Sequence, residues 1–374
     1  MRGLKILALG LAGYITICLA AMPEVCISAV KGALVLCGTA VIPTLFPFFV
    51  CSSLFVSLGL AGYASKYLGG IMKPLFRTDG AGAVAVVLGV ISGYPVGAKC
   101  AADLYRQNKL SKPEAERLLA FCNNSGPMFI MGTVGIAMYH SMRIGVLLYV
   151  IHIISSLLTG IVYARIHKGR VGVSHCAAKP GESTDDENVF EAVGNAIGGS
   201  VSTILKVCGF VVFFAVVGAT LPRFTGSEFV YAFLEITGGI NALTALSFDP
   251  ALKLSFVSMF LALSGVSVLL QVGAVISEYG ISIRPYVVGK ILQSSLAFVL
   301  MYIILLVLKY KDCLNRLFGG ETGVFALASA DMNGADAALW NLSGAIEVCG
   351  LCAAIIFAAV ILCRMIGLKK QKLK

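Results

Sequence analysis

The sequence predicts an all-α polytopic membrane protein built from two inverted repeats, with re-entrant helical hairpins and interrupted helices. Three observations carry that prediction. Of 374 residues, 58% are hydrophobic and only 13% charged, about half the ~25% charged content of a typical soluble domain. Runs such as 32–65 hold no Asp, Glu, Lys, Arg or His, and about 20 apolar residues suffice for a helix to cross ~30 Å of hydrocarbon. The apolar runs are also interrupted by polar, helix-ending residues at Ser92-Gly93-Tyr94-Pro95, at Asn123-Asn124-Ser125-Gly126-Pro127, at Ser264-Gly265 and around Ser294-Ser295. In lipid an opened helix exposes N–H and C=O groups that hydrocarbon cannot satisfy, so such breaks survive only where they line a buried or watered cavity. Matching broken segments in two halves mark a transporter's binding site.

In order along the chain, the basic start Arg2 and Lys5 followed by an apolar run to Met22 reads as a retained first span, residues 1–24, since Ala20-Ala21-Met22-Pro23 makes a poor cleavage site. Residues 25–166 form the first repeat. Val25 to Leu60 is too long for one straight crossing and contains Pro43 and Pro47, so it reads as a lead-in segment running into a proline-kinked span. The stretch from Gly62 to Arg77, with Lys66 and Lys73, reads as interfacial. Residues 81–108 break at Ser92 to Pro95, with arms too short to cross, and fit a hairpin that dips to mid-depth and returns. Ser111, Pro113 and Glu114 compose a capping box. The helix they start opens at Asn123 to Pro127, continues to Met138, and is followed by a return crossing from Met142 to Ile166.

A polar linker, 167–190, joins the halves, and 191–310 forms the core of the second repeat. At an offset of 172, Ser92-Gly93 falls on Ser264-Gly265, Lys99 on Gln271, Pro113 on Pro285 and Cys122-Asn123 on Ser294-Ser295. At an offset of 162, Gly32 meets Gly194 and Phe48 meets Phe210, with the difference absorbed around Arg223 to Val230. The second hairpin is therefore expected over Leu252 to Tyr279, entering from the opposite side. Residues 311–374 hold a loop and a last span, Leu342 to Ile366. That span runs outward and leaves Lys369, Lys370, Lys372 and Lys374 on the positive-poor side, unless Phe318 to Leu339 makes another crossing.

The net charge of +10 resolves into short loops: Lys66, Lys73 and Arg77; Arg106, Lys109 and Lys112; Arg165, Lys168 and Arg170; Lys309, Lys311 and Arg316. This is positive-inside topology rather than a nucleic-acid face. The 12 cysteines are scattered, and Cys349 and Cys352 have no further Cys or His beside them, so neither a metal nor a cofactor is expected.

The candidate site takes its residues from the breaks. From the first half come Ser92, Gly93, Tyr94, Pro95, Gly97, Lys99, Asn123, Asn124, Ser125 and Gly126. From the second come Ser264, Gly265, Ser267, Gln271, Gln293, Ser294 and Ser295. Half-helix N-termini suit a carboxylate or phosphate, the hydroxyls and amides can bond a small polar ligand, and Tyr94 can stack on an aromatic one. The bland alternative is that these residues glue helices together. Lys99 and Lys206 are expected to snorkel. The breaks carry no Asp or Glu, which disfavours a carboxylate-built cation site and favours an anionic or neutral ligand. Ser125-Gly126 with His140 or His152 could suggest a serine hydrolase, but both histidines lie on or beside other helices, and the chain is expected not to be an enzyme.

At residues 92–99, 111–121 and 122–130 the chain resembles sporulation integral membrane proteins of the YlbJ (SpoVV) type, which carry nucleoside-recognition Gate domains. The resemblance implies a fold similar to concentrative nucleoside transporters and movement of dipicolinic acid, a small aromatic dicarboxylate, during sporulation. It places the chain in the bacterial cell membrane or outer forespore membrane. Nucleoside transporters hold ribose or cations with acidic residues at these motifs; Ser92 to Pro95 and Asn123 to Ser125 have none, which suits an anion instead. The alternatives are a nucleoside transporter and a non-transporting ligand sensor or assembly protein. The expected partners are the lipid bilayer and a small-molecule substrate, anionic or nucleoside-like, with homo-oligomerisation left open and no nucleic acid.

Overall fold

A computed structural model describes residues 2–167, 189–225, 234, 236–245 and 249–310. The polar linker, the loop after Arg223 and the last span fall largely or wholly outside these residues. The described residues are mostly helical, with no strand among them. Five helical stretches are long and apolar enough to cross a membrane: Pro23–Ser57, Met142–Ile166, Val189–Arg223, Pro250–Ser277 and Arg284–Val307.

Helix α1 (Arg2–Ala21) stops before Pro23, which takes the first turn of α2 (Pro23–Leu36). A π-wound turn at Cys37–Val41 joins α2 to α3 (Ile42–Ser57). The cause of that turn is local. Pro43 and Pro47 have no N–H to give, and the wider winding just upstream accommodates them while Thr44 Oγ1 bonds Ala40 O at 2.7 Å. Helix α4 (Leu60–Phe76) buries Ala61, Ala64, Met72 and Phe76 and leaves Tyr63, Tyr67 and Lys73 out, as an interfacial helix should.

Next come α5 (Gly82–Ser92) and α6 (Val96–Arg106), which fold back on each other as the expected hairpin. Its mouth is fastened by a polar collar. Asp79 Oδ1 accepts from Ser65 Oγ at 2.5 Å and from Ala81 N at 3.0 Å, and Asp79 N donates to Glu114 Oε1 at 2.9 Å. Glu114 belongs to α7 (Lys112–Leu119), which carries the predicted capping box with Ser111. Beyond Leu119 the chain leaves the α-helix until a π-helix, Met128–Met138, and α8 (Met142–Ile166) crosses back over the predicted residues.

After α9 (Val189–Thr225) and α10 (Ile236–Ala245), the second half departs from expectation. Helices α11 (Pro250–Leu263) and α12 (Gly265–Ser277) do break at Ser264, but they do not fold back. Helix α11 runs antiparallel along α13 (Arg284–Tyr310): Leu254 clusters with Met301 and Leu305, and Ser258 Oγ donates to Ala297 O at 3.4 Å. Helix α12 packs instead on α6 and α9 and ends near the start of α13, where Tyr279 bonds Asp103 and Ser282 N bonds Glu116. Pro250 to Ser277 is therefore one kinked crossing, not a re-entrant hairpin.

The fourth expected break is absent. Helix α13 runs unbroken through Ser294 and Ser295. Both hydroxyls donate to Ile291 O at 2.9 Å, satisfying themselves within the helix.

Candidate functional site

Three breaks meet inside the bundle: the hairpin tip at Gly93, the non-helical stretch 120–127, and the kink at Ser264. The stretch is held by bare backbone. A Cβ on Gly89 or Gly97 would stand 1.8 or 2.1 Å from Cys122 O, one on Gly289 would stand 2.0 Å from Ala120 O, and one on Gly93 would stand 2.8 Å from Gly126 N. Only glycine admits this approach, and Gly93 also has φ 89°, a conformation costly to other residues. The Tyr94–Pro95 peptide at the tip is cis.

The breaks satisfy much of one another's polar backbone. Ala98 N, in the first turn of α6, donates to Asn123 Oδ1 at 3.4 Å. Ser125 Oγ donates to Leu261 O, one of the last carbonyls of α11, at 3.3 Å. Ser125 N donates to His152 Nε2 at 3.1 Å, and Ser156 Oγ donates to Phe121 O at 2.6 Å. From α13, Gln293 Nε2 reaches Asn124 Oδ1 at 3.1 Å and His152 O at 3.3 Å, while Asn124 Nδ2 donates to Phe121 O at 2.9 Å. The first-turn N–H of α6 is thus capped by a side chain rather than left open.

What remains is a small set of buried polar atoms without a hydrogen bond. Ser92 Oγ, Asn123 Nδ2, His152 Nδ1 and Tyr286 OH are among them. The Tyr286 hydroxyl faces the Asn123 and Ser264 side chains yet makes no well-formed bond with either. Asn123, Asn124, Ser125, Ser264 and Gln293 are all fully buried.

Other predicted residues make contacts outside the hydrogen bonds that join Asn123, Asn124, Ser125 and Gln293. Ser267 Oγ and Gln271 Nε2 bond each other at 3.3 Å on α12, Gly265 begins that helix with φ 71°, and Tyr94 packs half-buried against the larger core cluster. Lys99 does not snorkel. It is buried on α6, where Nζ bonds Asp103 Oδ2 at 2.7 Å and Ser53 Oγ at 3.3 Å. Asp103 also accepts from Tyr279 OH at 3.3 Å, and Arg106 stands 3.8 Å away. Burial first, and then the Asp103 carboxylate, push the Tyr279 phenol up to about 12, so it remains a donor at neutral pH. Lys206 is partly exposed and pairs with the exposed Glu278.

Four contributors escape the sequence reading. Gly89 and Gly289 carry no signal beyond being glycines. Tyr286 reads as an ordinary aromatic near a helix start. Lys290 was detectable, because an ionisable residue inside an apolar span is itself a pointer to function.

The five crossing helices and the breaks buried among them define a multi-pass integral membrane protein in contact with the lipid bilayer. Sporulation integral membrane protein YlbJ of Bacillus subtilis (strain 168) is 28% identical to this chain over 381 residues, covering 90% of this chain and 92% of that protein. The likeness runs nearly end to end in both and supports the YlbJ type that the motifs at 92–99, 111–121 and 122–130 resemble. No model of a known protein family matches the chain, and no solved structure does.

Proposed function

We propose that this protein transports a small polar anion, dipicolinic acid by the resemblance, across a membrane during sporulation. One observation carries the reading: Asn123 Nδ2, Tyr286 OH and Ser92 Oγ are buried without partners where the breaks converge. An unsatisfied buried polar group costs about 1–3 kcal/mol, and grouping several at broken helices suits a polar solute that occupies the place transiently. The absence of Asp and Glu from 92–95 and 123–127 favours an anion over a cation there. Transport without bond cleavage fits the polar geometry. Ser125 Oγ donates to Leu261 O, and His152 Nε2 takes the Ser125 N–H rather than the hydroxyl, so the two are not disposed as nucleophile and base.

Purified protein in liposomes, offered radiolabelled dipicolinate beside uridine, tests this directly. Saturable uptake of dipicolinate is expected, with little uptake of uridine. Binding without uptake would instead make the protein a ligand sensor, and preferential uridine uptake would make it a nucleoside transporter.

A further inference from the structure

Lys290 is the buried cation of this bundle that has no acidic partner among the described residues. It lies on α13 and is 3% exposed; its Nζ donates to Gln293 Oε1 at 2.9 Å and stands 5.7 Å from the Tyr286 ring centroid. Three other lysines of the described region have carboxylates: Lys99 has Asp103 at 2.7 Å, Lys73 has Asp79 at 3.4 Å, and Lys206 has Glu278. An ammonium offers three donors, and one neutral amide oxygen with a ring face leaves its charge uncompensated. An unpaired charge at this depth is costly and is retained where it meets a counter-charge.

The neighbours say where that counter-charge would sit. Gln293 links Lys290 to Asn124 and to His152 O, and so to the stretch 120–127. The adjoining unpaired atoms Asn123 Nδ2 and Tyr286 OH can both donate. Donors gathered round a cation, with no acid among them, complement the oxygens of a carboxylate. We infer that Lys290 is the substrate's counter-charge and specificity residue: its ammonium takes one carboxylate of the transported solute, displacing Gln293 Oε1. The inference rests on the transport reading above and names its substrate class as organic carboxylates.

The test uses the full-length protein and matched acid–amide pairs: dipicolinate, nicotinate and succinate, each against its amide, by calorimetry and liposome uptake. Wild type should bind at least one acid at least tenfold more tightly than its amide. Lys290→Gln should abolish that preference while leaving amide binding unchanged, and Lys290→Arg should restore part of it. Lys206→Gln, which breaks the pair with Glu278, should keep the wild-type ratio. A purely structural role would lower affinity for both members of a pair, and a preference that survives in Lys290→Gln would overturn the inference while leaving transport standing. If wild type neither binds nor moves any of the six compounds, the transport reading fails and the inference falls with it. Elution as a single species and a thermal melt of each variant separate misfolding from lost recognition; should Lys290→Gln not fold, a wild-type acid–amide ratio in the neutral Lys290→Met would overturn it equally.

Discussion

Ser92-Gly93 and Ser264-Gly265 stand 172 positions apart, and each separates two apolar helices, yet the chain turns back at the first and continues through the second. The difference lies in how many residues leave the helix. Between α5 and α6 the tip holds Gly93, Tyr94 and Pro95, with Gly93 at φ 89°, ψ −176°, an extended conformation open essentially to glycine alone. That is enough backbone to reverse direction. Between α11 and α12 Ser264 alone lies outside a helix, at φ 68°, ψ −5°, and Gly265, the first residue of α12, follows with φ 71°. Two consecutive positive-φ residues bend the crossing here without turning it round. A Ser-Gly pair in membrane helices therefore announces an interruption, while the residues after it decide between hairpin and kink.

The largest contrast should come from the glycines. Gly97→Ala drives a Cβ to 2.1 Å from Cys122 O, whereas Gly273 on α12 has nothing within 4 Å of the same atom. Gly97→Ala should abolish uptake and lower the melting temperature in detergent, since forced overpacking costs at least about 1–3 kcal/mol. Gly273→Ala should insert, transport normally and gain a few tenths to about 1 kcal/mol of helix stability. Equal behaviour of the two would erase the distinction between clamp and kink.

Asp103→Asn comes next. It strands the buried Lys99 ammonium, and loss of one member of such a pair costs about 3–5 kcal/mol, read as a melting shift that Lys99→Met made together with it should partly repair. Asn123→Ala compared with Ser295→Ala then probes the mirrored positions. Asn123 caps α6 and keeps a free donor, while Ser295 only bonds its own helix, so uptake should fall at least tenfold in the first and stay within twofold of wild type in the second. The smallest effect is reserved for Tyr279→Phe. It removes one hydrogen bond to the Asp103 carboxylate, worth about 1.5–3 kcal/mol, and should lower the melt by less than Asp103→Asn does, with substrate affinity unchanged.

Much of the first half was legible in the residues because its devices are local. Pro95 and Gly93 end helices by covalent geometry, Ser111 and Glu114 cap one through neighbouring atoms, and the apolar run to Ile166 needs only length. The second half depended on partners distant in sequence. Nothing near Ser294 or Ser295 says that their hydroxyls will bond Ile291 O instead of a ligand, and nothing near Lys99 reveals Tyr279 closing over Asp103. The centre itself was half visible. Asn123, Asn124, Ser125 and Gln293 do assemble there, but Tyr286 and Lys290 join them only because Gly289 lets α13 press against Ala120 O.

That glycine contact has a mechanical corollary. With Gly89 and Gly97 pressed on Cys122 O from one side and Gly289 on Ala120 O from the other, the hairpin, the stretch between them and the start of α13 cannot slide past one another without a steric collision. They form a single tight unit, and on the transport reading proposed above any opening would have to come elsewhere, where larger side chains such as Leu261, Phe260 and Ile130 share one apolar cluster. If the protein transports as proposed, a covalent tie engineered within that unit should leave solute flux untouched, whereas one between α11 and the π-helix should arrest it.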